Sequence, residues 1–515
     1  GYRYISRYRS IDPDPLKKVF DKLGKKFAKA KKEGKDKYYE EPWLKKNHGF
    51  TGEVWLGHLR YGTHGVNSIE SCHPFLRQNN WRSRNLVMAG NFNMTNVEEL
   101  FKLLIDIGQH PKDKRDTVTV MEKIGHFLDE ENHELFRKYK SQFSNNEITK
   151  IIENEISIKK ILTRSCKDFD GGYTMAGMLG YGASFVARDP AGIRPAYYYA
   201  DDEVVVVASE KPAIKTAFDC NYNEIQEIDP GHALIISKEG EYSIEKFLKP
   251  TEKKSCSFER IYFSRSSDPD IYQERKTLGR LLVPKVLKAI NFDLRNTIFS
   301  YIPNSAETAF LGLMDGMDDY LVKKRKEIVI DKKPSPDHLD EILSFRPRIE
   351  KMVIKDAKLR TFITQDTERD DLVANVYDTT YEVVNKGKDN LVIIDDSIVR
   401  GTTLEKSIVT LLDKLDPKKI VIVSSAPQIR YPDCYGIDMS KMKDFVAFRA
   451  VVELLEETGQ EYMLDEAMDK CVAHKGKRNQ PNFVKELYAP FTYDKLSQKI
   501  TDIVRPKNMK ADLEV

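Results

Sequence analysis

An apolar run that ends in two aspartates constrains the fold of this 515-residue chain more than any other feature. Leu391 to Ile394 is strand-sized and wholly apolar, and Asp395 and Asp396 follow it directly. A turn of mostly small or polar residues, 397–403, comes next, and from Leu404 apolar residues recur at helical spacing. This order is typical of an open α/β sheet, in which ligands bind beyond the carboxyl ends of the strands. We therefore predict that the two aspartates face a binding site.

The chain after Pro250 alternates strands with helices, which predicts a parallel sheet with crossover helices. Strands are predicted at Thr297 to Ile302, Arg360 to Thr364, Leu391 to Asp395 and Lys419 to Ser424. Helices are predicted near Ser305 to Met317, from Arg369 and from Thr403. The charged stretch Asp318 to Lys358 contains three prolines and is predicted to be an insertion, and the residues from Phe445 onward a helical tail.

The first half of the chain is strand-rich from Val54 to Ser237. Its predicted strands are Val54 to Arg60, Leu86 to Asn91, Tyr181 to Arg188, Val204 to Ser209 and His232 to Ser237. A helical insert near Asn132 to Thr163 interrupts them. This pattern predicts a sheet-based domain with helices packed on it. The lysine-rich stretch Lys17 to Lys46 is predicted to be a solvated helix and loop, because acidic residues dilute its charge.

Length and charge exclude several classes of protein. A chain of 515 residues holds about two to four domains. The formal charge of +3 argues against a nucleic-acid-coating protein, and no apolar run reaches the length of a membrane span. The six cysteines form no CxxC pair, which favours a reduced, cytoplasmic compartment. We therefore expect a soluble protein that binds neither nucleic acid nor membrane.

The turn after the aspartates suits a phosphate. Backbone N–H groups from Ser397 to Thr403, with Gly401 to free the backbone and a helix N-terminus behind them, would form an anion site. Adjacent carboxylates suit a sugar diol or a Mg²⁺ that also binds phosphate oxygens. The structural alternative is a strand–loop–helix connection with a capping Ser or Thr. The full pattern favours phosphate binding.

The segment Leu391 to Thr403 closely resembles the phosphoribosylpyrophosphate (PRPP) signature of phosphoribosyltransferases, and its sequence DDSIVRGTT resembles that of glutamine PRPP amidotransferases. Further segments similar to that family follow its order, namely Cys256 to Arg265, Ile302 to Ser305, Arg360 to Ile363, Ser424 to Pro427 and Tyr435 to Asp438. Earlier segments resemble class II, N-terminal-nucleophile glutamine amidotransferases, namely Gly57 to Thr63, Asn91 to Asn96 and Arg188 to Pro195.

The resemblance implies an α+β N-terminal-nucleophile (class II) glutamine amidotransferase domain, followed by an α/β phosphoribosyltransferase domain with a parallel sheet. We place these domains at 1–249 and 250–444, with the helical tail at 445–515. The implied enzyme is a glycosyltransferase, more narrowly a pentosyltransferase. It makes 5-phosphoribosylamine from PRPP and glutamine, the first committed step of de novo purine biosynthesis.

For the PRPP site, the resemblance implies that Asp395 and Asp396 hold the ribose hydroxyls and Mg²⁺, with Ser305 near the metal. Arg360 lies in a segment that matches the family's flexible loop and is predicted to bind substrate, and Tyr377 stands where that loop has a lysine. The loop residues predicted to bind the 5′-phosphate are Ser397, Arg400, Gly401, Thr402 and Thr403.

For the glutamine site, the resemblance implies that Arg60, with Tyr61 beside it, binds the α-carboxylate and that Asp116 binds the α-ammonium. A guanidinium suits a planar carboxylate. Asn91 and the backbone N–H of Phe92 would form the oxyanion hole, and Phe92 stands where the family has glycine.

Two cysteine-dependent features of the family do not match this sequence. The family's nucleophile is an N-terminal Cys, whereas this chain begins at Gly1, and Cys72 is interior. We therefore expect that the sequence is N-terminally incomplete and that the given chain has at most ammonia-dependent activity. Some members carry a four-cysteine iron–sulfur cluster. Cys256 lies in a matching stretch, but Asp433 occupies another ligand position and Cys434 is displaced by one residue, so we predict no cluster.

The resemblance also implies purine nucleotides as feedback inhibitors and a homodimer or homotetramer. Three alternatives stay open. The chain could be an ammonia-only transferase without glutaminase activity. It could be a PRPP-binding regulator of phosphoribosyltransferase fold that uses the lysine-rich stretch on nucleic acid. It could also be a sugar-phosphate amidotransferase, although that alternative leaves Asp395 to Thr403 unexplained.

Overall fold

The chain divides into two compact units, which are described here one at a time. The computed structural model describes residues 5–59, 68–355, 377–432, 441–475 and 481–515. The first unit comprises the described residues up to Cys256, and the second comprises those from Ser257 onward. No helix in these ranges is both long enough and apolar enough to cross a membrane.

The first unit is built on an antiparallel sheet of six described strands in the order β1-β2-β3-β4-β8-β9. Its strands are β1 (Phe75–Arg77), β2 (Leu86–Met94), β3 (Gly171–Leu179), β4 (Ser184–Arg188), β8 (His232–Ile236) and β9 (Tyr242–Lys246). A second antiparallel sheet, in the order β6-β5-β7, contains β5 (Tyr197–Ala200), β6 (Val205–Ala208) and β7 (Gln226–Glu227).

The described part of the first unit contains seven α-helices, and some of them pack on each of the two sheets. They are α1 (Pro15–Gly34), α2 (Glu41–Asn47), α3 (Val97–Asp106), α4 (Asp116–Tyr139), α5 (Asn145–Glu155), α6 (Ile158–Ser165) and α7 (Lys211–Phe218). Met121 and Ile124 of α4 share a buried cluster with Met88 of β2 and Met175 of β3. Burial of this apolar surface is the main stabilising term for the layer.

The second unit contains a parallel sheet in the order β11-β10-β14-β15-β16, which confirms the parallel sheet predicted from the alternation. Its strands are β10 (Thr297–Tyr301), β11 (Arg348–Ile349), β14 (Asn390–Asp395), β15 (Lys419–Ser424) and β16 (Asp512–Glu514). A separate antiparallel pair joins β12 (Ile354–Lys355) to β13 (Tyr377–Asp378).

Helices lie on both faces of the parallel sheet. They are α8 (Pro269–Ala289), α9 (Glu307–Lys332), α10 (Pro336–Ser344), α11 (Thr410–Asp413), α12 (Val446–Glu457), α13 (Tyr462–Ala473) and α14 (Tyr493–Val504). Two π-helical turns, Glu259–Phe263 and Leu404–Val409, precede α8 and α11.

Alternate residues of β14 enter different cores, which explains why this strand is apolar throughout. Leu391 and Ile393 pack with Ile408 and the helices after residue 445. Val392 and Ile394 pack with α8 and α9 on the other face. Successive side chains of a strand point to opposite faces, so in a strand covered on both sides every side chain is buried and apolar residues are favoured at each position.

The structure corrects several predictions from the sequence. Residues 54–59 do not form a strand, and Trp55 and Leu59 are exposed rather than packed on a sheet. The helical region of the first unit is longer than the predicted insert, because α3 begins at Val97 and α4 at Asp116.

The predicted insertion Asp318 to Lys358 is also wrong in part. The helix predicted to end near Met317 continues to Lys332, since its charged residues face solvent while Leu321 is buried. Pro334 follows the helix end, and Arg348–Ile349 adds an edge strand to the parallel sheet. The predicted tail is helical but ends in β16, which pairs with β15. The predicted strand Arg360 to Thr364 and the helix from Arg369 lie outside the described residues.

Candidate functional site

A cavity in the second unit opens where β10 and β14 end, as the position of the aspartates predicted. Two segments and four single residues line it. They are the turn after β10 (Ile302 to Ser305), the end of β14 with the following loop (Asp395 to Leu404), and single residues from elsewhere (Phe258, Tyr262, Lys355 and Tyr377). The carboxyl ends of neighbouring parallel strands meet at one edge of a sheet, which brings the first two segments together.

Asp395 and Asp396 are held in place by local hydrogen bonds. The backbone N–H of Asp396 donates to Oδ1 of Asp395 over 2.8 Å, and the hydroxyl of Ser397 donates to Oδ1 of Asp396 over 2.9 Å. Ser305 also hydrogen-bonds the Asp396 carboxylate. The sequence predicted Ser305, Asp395, Asp396 and Ser397 as one site, and the structure brings all four together.

Burial shifts the ionisation equilibrium of both aspartates towards the protonated form. Burial raises the pKa of Asp395 well above its usual value, and the charge of Asp396 raises it further. Burial also raises the pKa of Asp396, although the hydrogen bonds from Ser397 and Ser305 and the positive charge of Arg275 oppose the shift. A cation beside both carboxylates would favour their charged forms.

The loop after the aspartates turns on Gly401. Its φ is +76°, a left-handed conformation that residues with a Cβ adopt at a cost. The helix that follows starts with Leu404, whose side chain is buried. Arg400, Gly401, Thr402 and Thr403 all line the cavity, and their binding of a phosphate stays a prediction.

The four cavity residues from outside the two main segments were not predicted as site residues. Phe258 and Tyr262 stack with ring centroids 5.5 Å apart. Lys355 and Tyr377 face each other across the β12–β13 pair, with the Lys355 Nζ 5.9 Å from the Tyr377 ring centre. Phe258 and Tyr262 could have been found from the motif Cys256 to Arg265, but nothing in the sequence marks Lys355.

The side chains of the cavity can bind Mg²⁺ only together with other ligands. Among the described residues, no group of three or more His, Cys, Asp and Glu side chains could hold a metal ion. Two adjacent carboxylates and a hydroxyl are present, and Mg²⁺ is commonly bound by one or two carboxylates together with substrate phosphates and water. The residues therefore fit a metal that is bound jointly with a phosphorylated substrate.

In the first unit, Asn91 and Phe92 lie within β2, opposite Thr174 and Tyr173 of β3. The backbone at Phe92 is an extended strand and not a turn, which explains why a side chain is tolerated there. The ring of His73 lies 6.3 Å from that of Phe92 and stacks on His58 at 4.3 Å. Nε2 of His58 lies 3.1 Å from the carbonyl oxygen of Gly90 in the same strand as Phe92.

Asp116 is the first residue of α4. Its Oδ1 accepts hydrogen bonds from the Thr117 N–H over 2.6 Å and from the Thr117 hydroxyl over 3.2 Å. A carboxylate in this position also interacts favourably with the helix dipole. Asp116 therefore has a structural role at the helix start, whatever else it binds.

Several predicted residues lie outside the described ranges. These are Arg60, Tyr61 and Arg360, together with Asp433 and Cys434 of the cluster argument. Their roles stay predictions, and so does the absence of an iron–sulfur cluster.

Comparison with known proteins finds relatives of one kind along most of the chain. No protein-family model matches it. The amidophosphoribosyltransferase of Bacillus subtilis is 26% identical over 471 residues, which is 90% of this chain and 84% of the relative. That of Escherichia coli is 27% identical over 438 residues (82% and 75%), and that of Saccharomyces cerevisiae 25% identical over 445 residues (82% and 76%).

Solved structures give the same result for the fold. Glutamine PRPP amidotransferase from B. subtilis, complexed with ADP and GMP, matches with a TM-score of 0.54 and 26% identity, covering 78% of this chain and 74% of that one. A structure described as the allosteric regulatory enzyme of purine biosynthesis matches with a TM-score of 0.54 and 25% identity, covering 83% and 79%. By sequence and by fold, the chain is therefore a relative of the amidophosphoribosyltransferases, as its motifs predicted.

Proposed function

We propose that this protein is an amidophosphoribosyltransferase, which forms 5-phosphoribosylamine, pyrophosphate and glutamate from PRPP, glutamine and water. The observation that carries the proposal is the acidic pair at the end of β14, the partly buried Asp395 and the buried Asp396, which line one cavity with the loop 397–403 and Ser305. The relatives named above support it along most of the chain.

Within this site, the loop 397–403 binds the 5′-phosphate through its backbone N–H groups. Asp395 and Asp396 accept hydrogen bonds from the ribose hydroxyls and hold Mg²⁺ with Ser305. When bound, Mg²⁺ stabilises the negative charge that develops on the departing pyrophosphate. The turn Pro303 to Ala306 orients that leaving group. Lys355 and Arg400 supply the only cationic side chains among the described cavity residues.

The reaction at this site breaks the bond between C1 of the ribose and the pyrophosphate oxygen, and ammonia forms the new C–N bond. Phe258 and Tyr262 give the cavity an apolar wall that limits the access of water to C1. Attack by ammonia first gives an ammonium group on C1, which passes one proton to the released pyrophosphate or to solvent, so neutral 5-phosphoribosylamine forms.

In the first unit we propose that Asn91 and the N–H of Phe92 stabilise the oxyanion formed from the glutamine amide, and that Asp116 binds the α-ammonium. Arg60 and Tyr61 complete this proposal from outside the described residues. Purine nucleotides are proposed as inhibitors, in line with the relative that was solved with ADP and GMP.

The test is pyrophosphate release from PRPP with ammonium chloride as nitrogen donor, because this assay needs the second site alone. Asp395→Asn and Asp396→Asn should each lower kcat/KM by about 100-fold or more, since each removes a charged group that acts in the transition state. Asp502→Asn, at an exposed aspartate of α14, is the matched control and should behave as wild type. Wild-type turnover by either cavity variant would overturn the assignment of the site.

A further inference from the structure

A buried arginine ties helix α8 to the aromatic wall of the cavity. The Arg275 side chain is only 4% exposed. Its Nε donates to the carbonyl of Arg260 over 3.0 Å, its Nη2 to the carbonyl of Ser264 over 2.8 Å, and its Nη1 to the hydroxyl of Ser266 over 2.9 Å. All three acceptors belong to one short stretch, residues 260–266, so a single guanidinium fixes its path.

That stretch carries part of the cavity wall. The two backbone acceptors, at Arg260 and Ser264, lie on either side of Tyr262 in the sequence. Tyr262 belongs to the π-helical turn Glu259–Phe263, and its ring stacks on Phe258 with 22° between the planes. A π-helical turn is a rare conformation that frequently occurs at functional sites. The hydrogen bonds from Arg275 therefore stabilise this turn, because their acceptors, the carbonyls of Arg260 and Ser264, lie near its two ends.

Arg275 also places a positive charge near the acidic pair. Its charge lowers the pKa of Asp396 against the larger effect of burial. A lysine at position 275 would keep this charge, but one ammonium group cannot reproduce the planar fork that reaches three fixed acceptors. The contributions of charge and of hydrogen-bond geometry can therefore be separated by experiment.

We propose that Arg275 is a positioning residue of the phosphoribosyl site. It acts through residues 258–266, whose backbone it fixes so that Phe258 and Tyr262 face the cavity, and its described hydrogen bonds all go to this stretch. This inference rests on the proposed function for its effect on PRPP, but the position of the wall itself can be measured without any substrate.

The first measurement uses Tyr262→Trp as a fluorescent reporter. The three native tryptophans, Trp43, Trp55 and Trp81, all lie in the first unit, so they provide a constant background. Adding Arg275→Gln should shift the reporter emission to longer wavelength and increase its quenching by acrylamide. The control is Arg280→Gln on the same helix, where a half-exposed arginine pairs with Asp315 over 3.2 Å, and it should change neither quantity. An unchanged reporter in the Arg275→Gln background would overturn the proposal.

The second measurement is ammonia-dependent turnover of PRPP by the full chain with native Tyr262. Misplacement of a site residue by about 1 Å can cost about 100-fold in rate, so Arg275→Gln should lower kcat/KM by about 10- to 100-fold, with a rise in KM for PRPP. Arg275→Lys should recover only part of this loss. Full recovery by the lysine would assign the effect to charge and overturn the positioning role.

A variant that keeps the arginine covers the case in which Arg275→Gln does not fold. Ser266→Ala removes one of the three acceptors and leaves the guanidinium in place. It should shift the Tyr262→Trp emission in the same direction by a smaller amount, and no shift would again overturn the proposal. If the wild-type chain turns over no PRPP while the reporter responds as expected, the proposed function fails and the positioning role of Arg275 stands.

Discussion

Replacing Gly401 with alanine tests whether the loop 397–403 has the conformation that phosphate binding needs. The φ of Gly401 is +76°, and a residue with a Cβ in this left-handed region costs about 1–2 kcal/mol. An added Cβ would also lie 2.9 Å from Cγ1 of Val504 and 3.3 Å from Cγ2 of Val446, two buried side chains. Overpacking of this kind costs about 1–3 kcal/mol. We therefore expect Gly401→Ala to lower the free energy of unfolding by about 2–5 kcal/mol.

Gly387 in the same unit offers a matched control. Its φ is +67°, but no atom lies within 4 Å of the Cβ that alanine would add. Gly387→Ala therefore carries the backbone cost alone, about 1–2 kcal/mol. The difference between the two variants measures the contact of the new methyl group with Val504 and Val446.

Two assays are needed, namely urea unfolding and the KM for PRPP with ammonium as nitrogen donor. If the loop shifts to relieve the contact with Val504, its N–H groups lose alignment with the phosphate, and each 1.4 kcal/mol of lost binding raises KM about tenfold. We expect an increase of about tenfold for Gly401→Ala and none for Gly387→Ala. A wild-type KM in Gly401→Ala would refute the role of the loop, and equal destabilisation by both variants would refute the contact argument.

Three further predictions concern other parts of the chain. Lys355→Met should raise the KM for PRPP about tenfold or more, because a charged hydrogen bond is worth about 1.5–3 kcal/mol. Lys355→Arg keeps the charge, and Lys351→Met is an exposed control, so both should have a KM near that of wild type in the same assay. Arg188→Met should lower the free energy of unfolding in urea by about 3–5 kcal/mol, because it removes the buried donor of three backbone carbonyls and one of the two basic partners of Glu227; a loss below about 1 kcal/mol would contradict this. Burial opposes ionisation of Glu227, but its basic partners lower the pKa below the usual value, so this stabilisation is present at neutral pH and is lost as the pH falls through the folded-state pKa. Burial raises the pKa of the Cys166 thiol to about 12, so a thiol reagent at pH 8 should label Cys166 only after the protein unfolds. Labelling is located by mass spectrometry, and rapid labelling of Cys166 in the native protein would contradict this.

The elements predicted best from the sequence are the central strands of the second unit. The predicted strand Lys419 to Ser424 matches β15 at both ends, and Leu391 to Asp395 differs from β14 by one residue. Both strands are buried on two faces, so their apolar runs are unbroken until the polar residues Asp395 and Ser424.

The secondary structure was predicted wrongly where a local sequence pattern is compatible with two different conformations. Val54 to Arg60 has the composition of a strand, but Trp55 and Leu59 are exposed and no sheet covers them. The charges after Met317 predict the end of a helix, but charged residues on one face are equally compatible with the longer helix α9. In both segments, tertiary contacts that short-range patterning does not contain decided the outcome.

For the site, the sequence by itself determined the chemistry of one contiguous segment. The acidic pair, the small-residue turn and Gly401 follow one another in the chain, so their local geometry follows from strand, turn and helix propensities. Only the tertiary structure decided what faces that segment. Lys355 and Tyr262 reach the same cavity from distant parts of the chain, and Arg275 fixes Tyr262 from a third element. Such long-range contacts depend on how whole elements pack, and packing depends on buried surfaces that no local window of sequence describes.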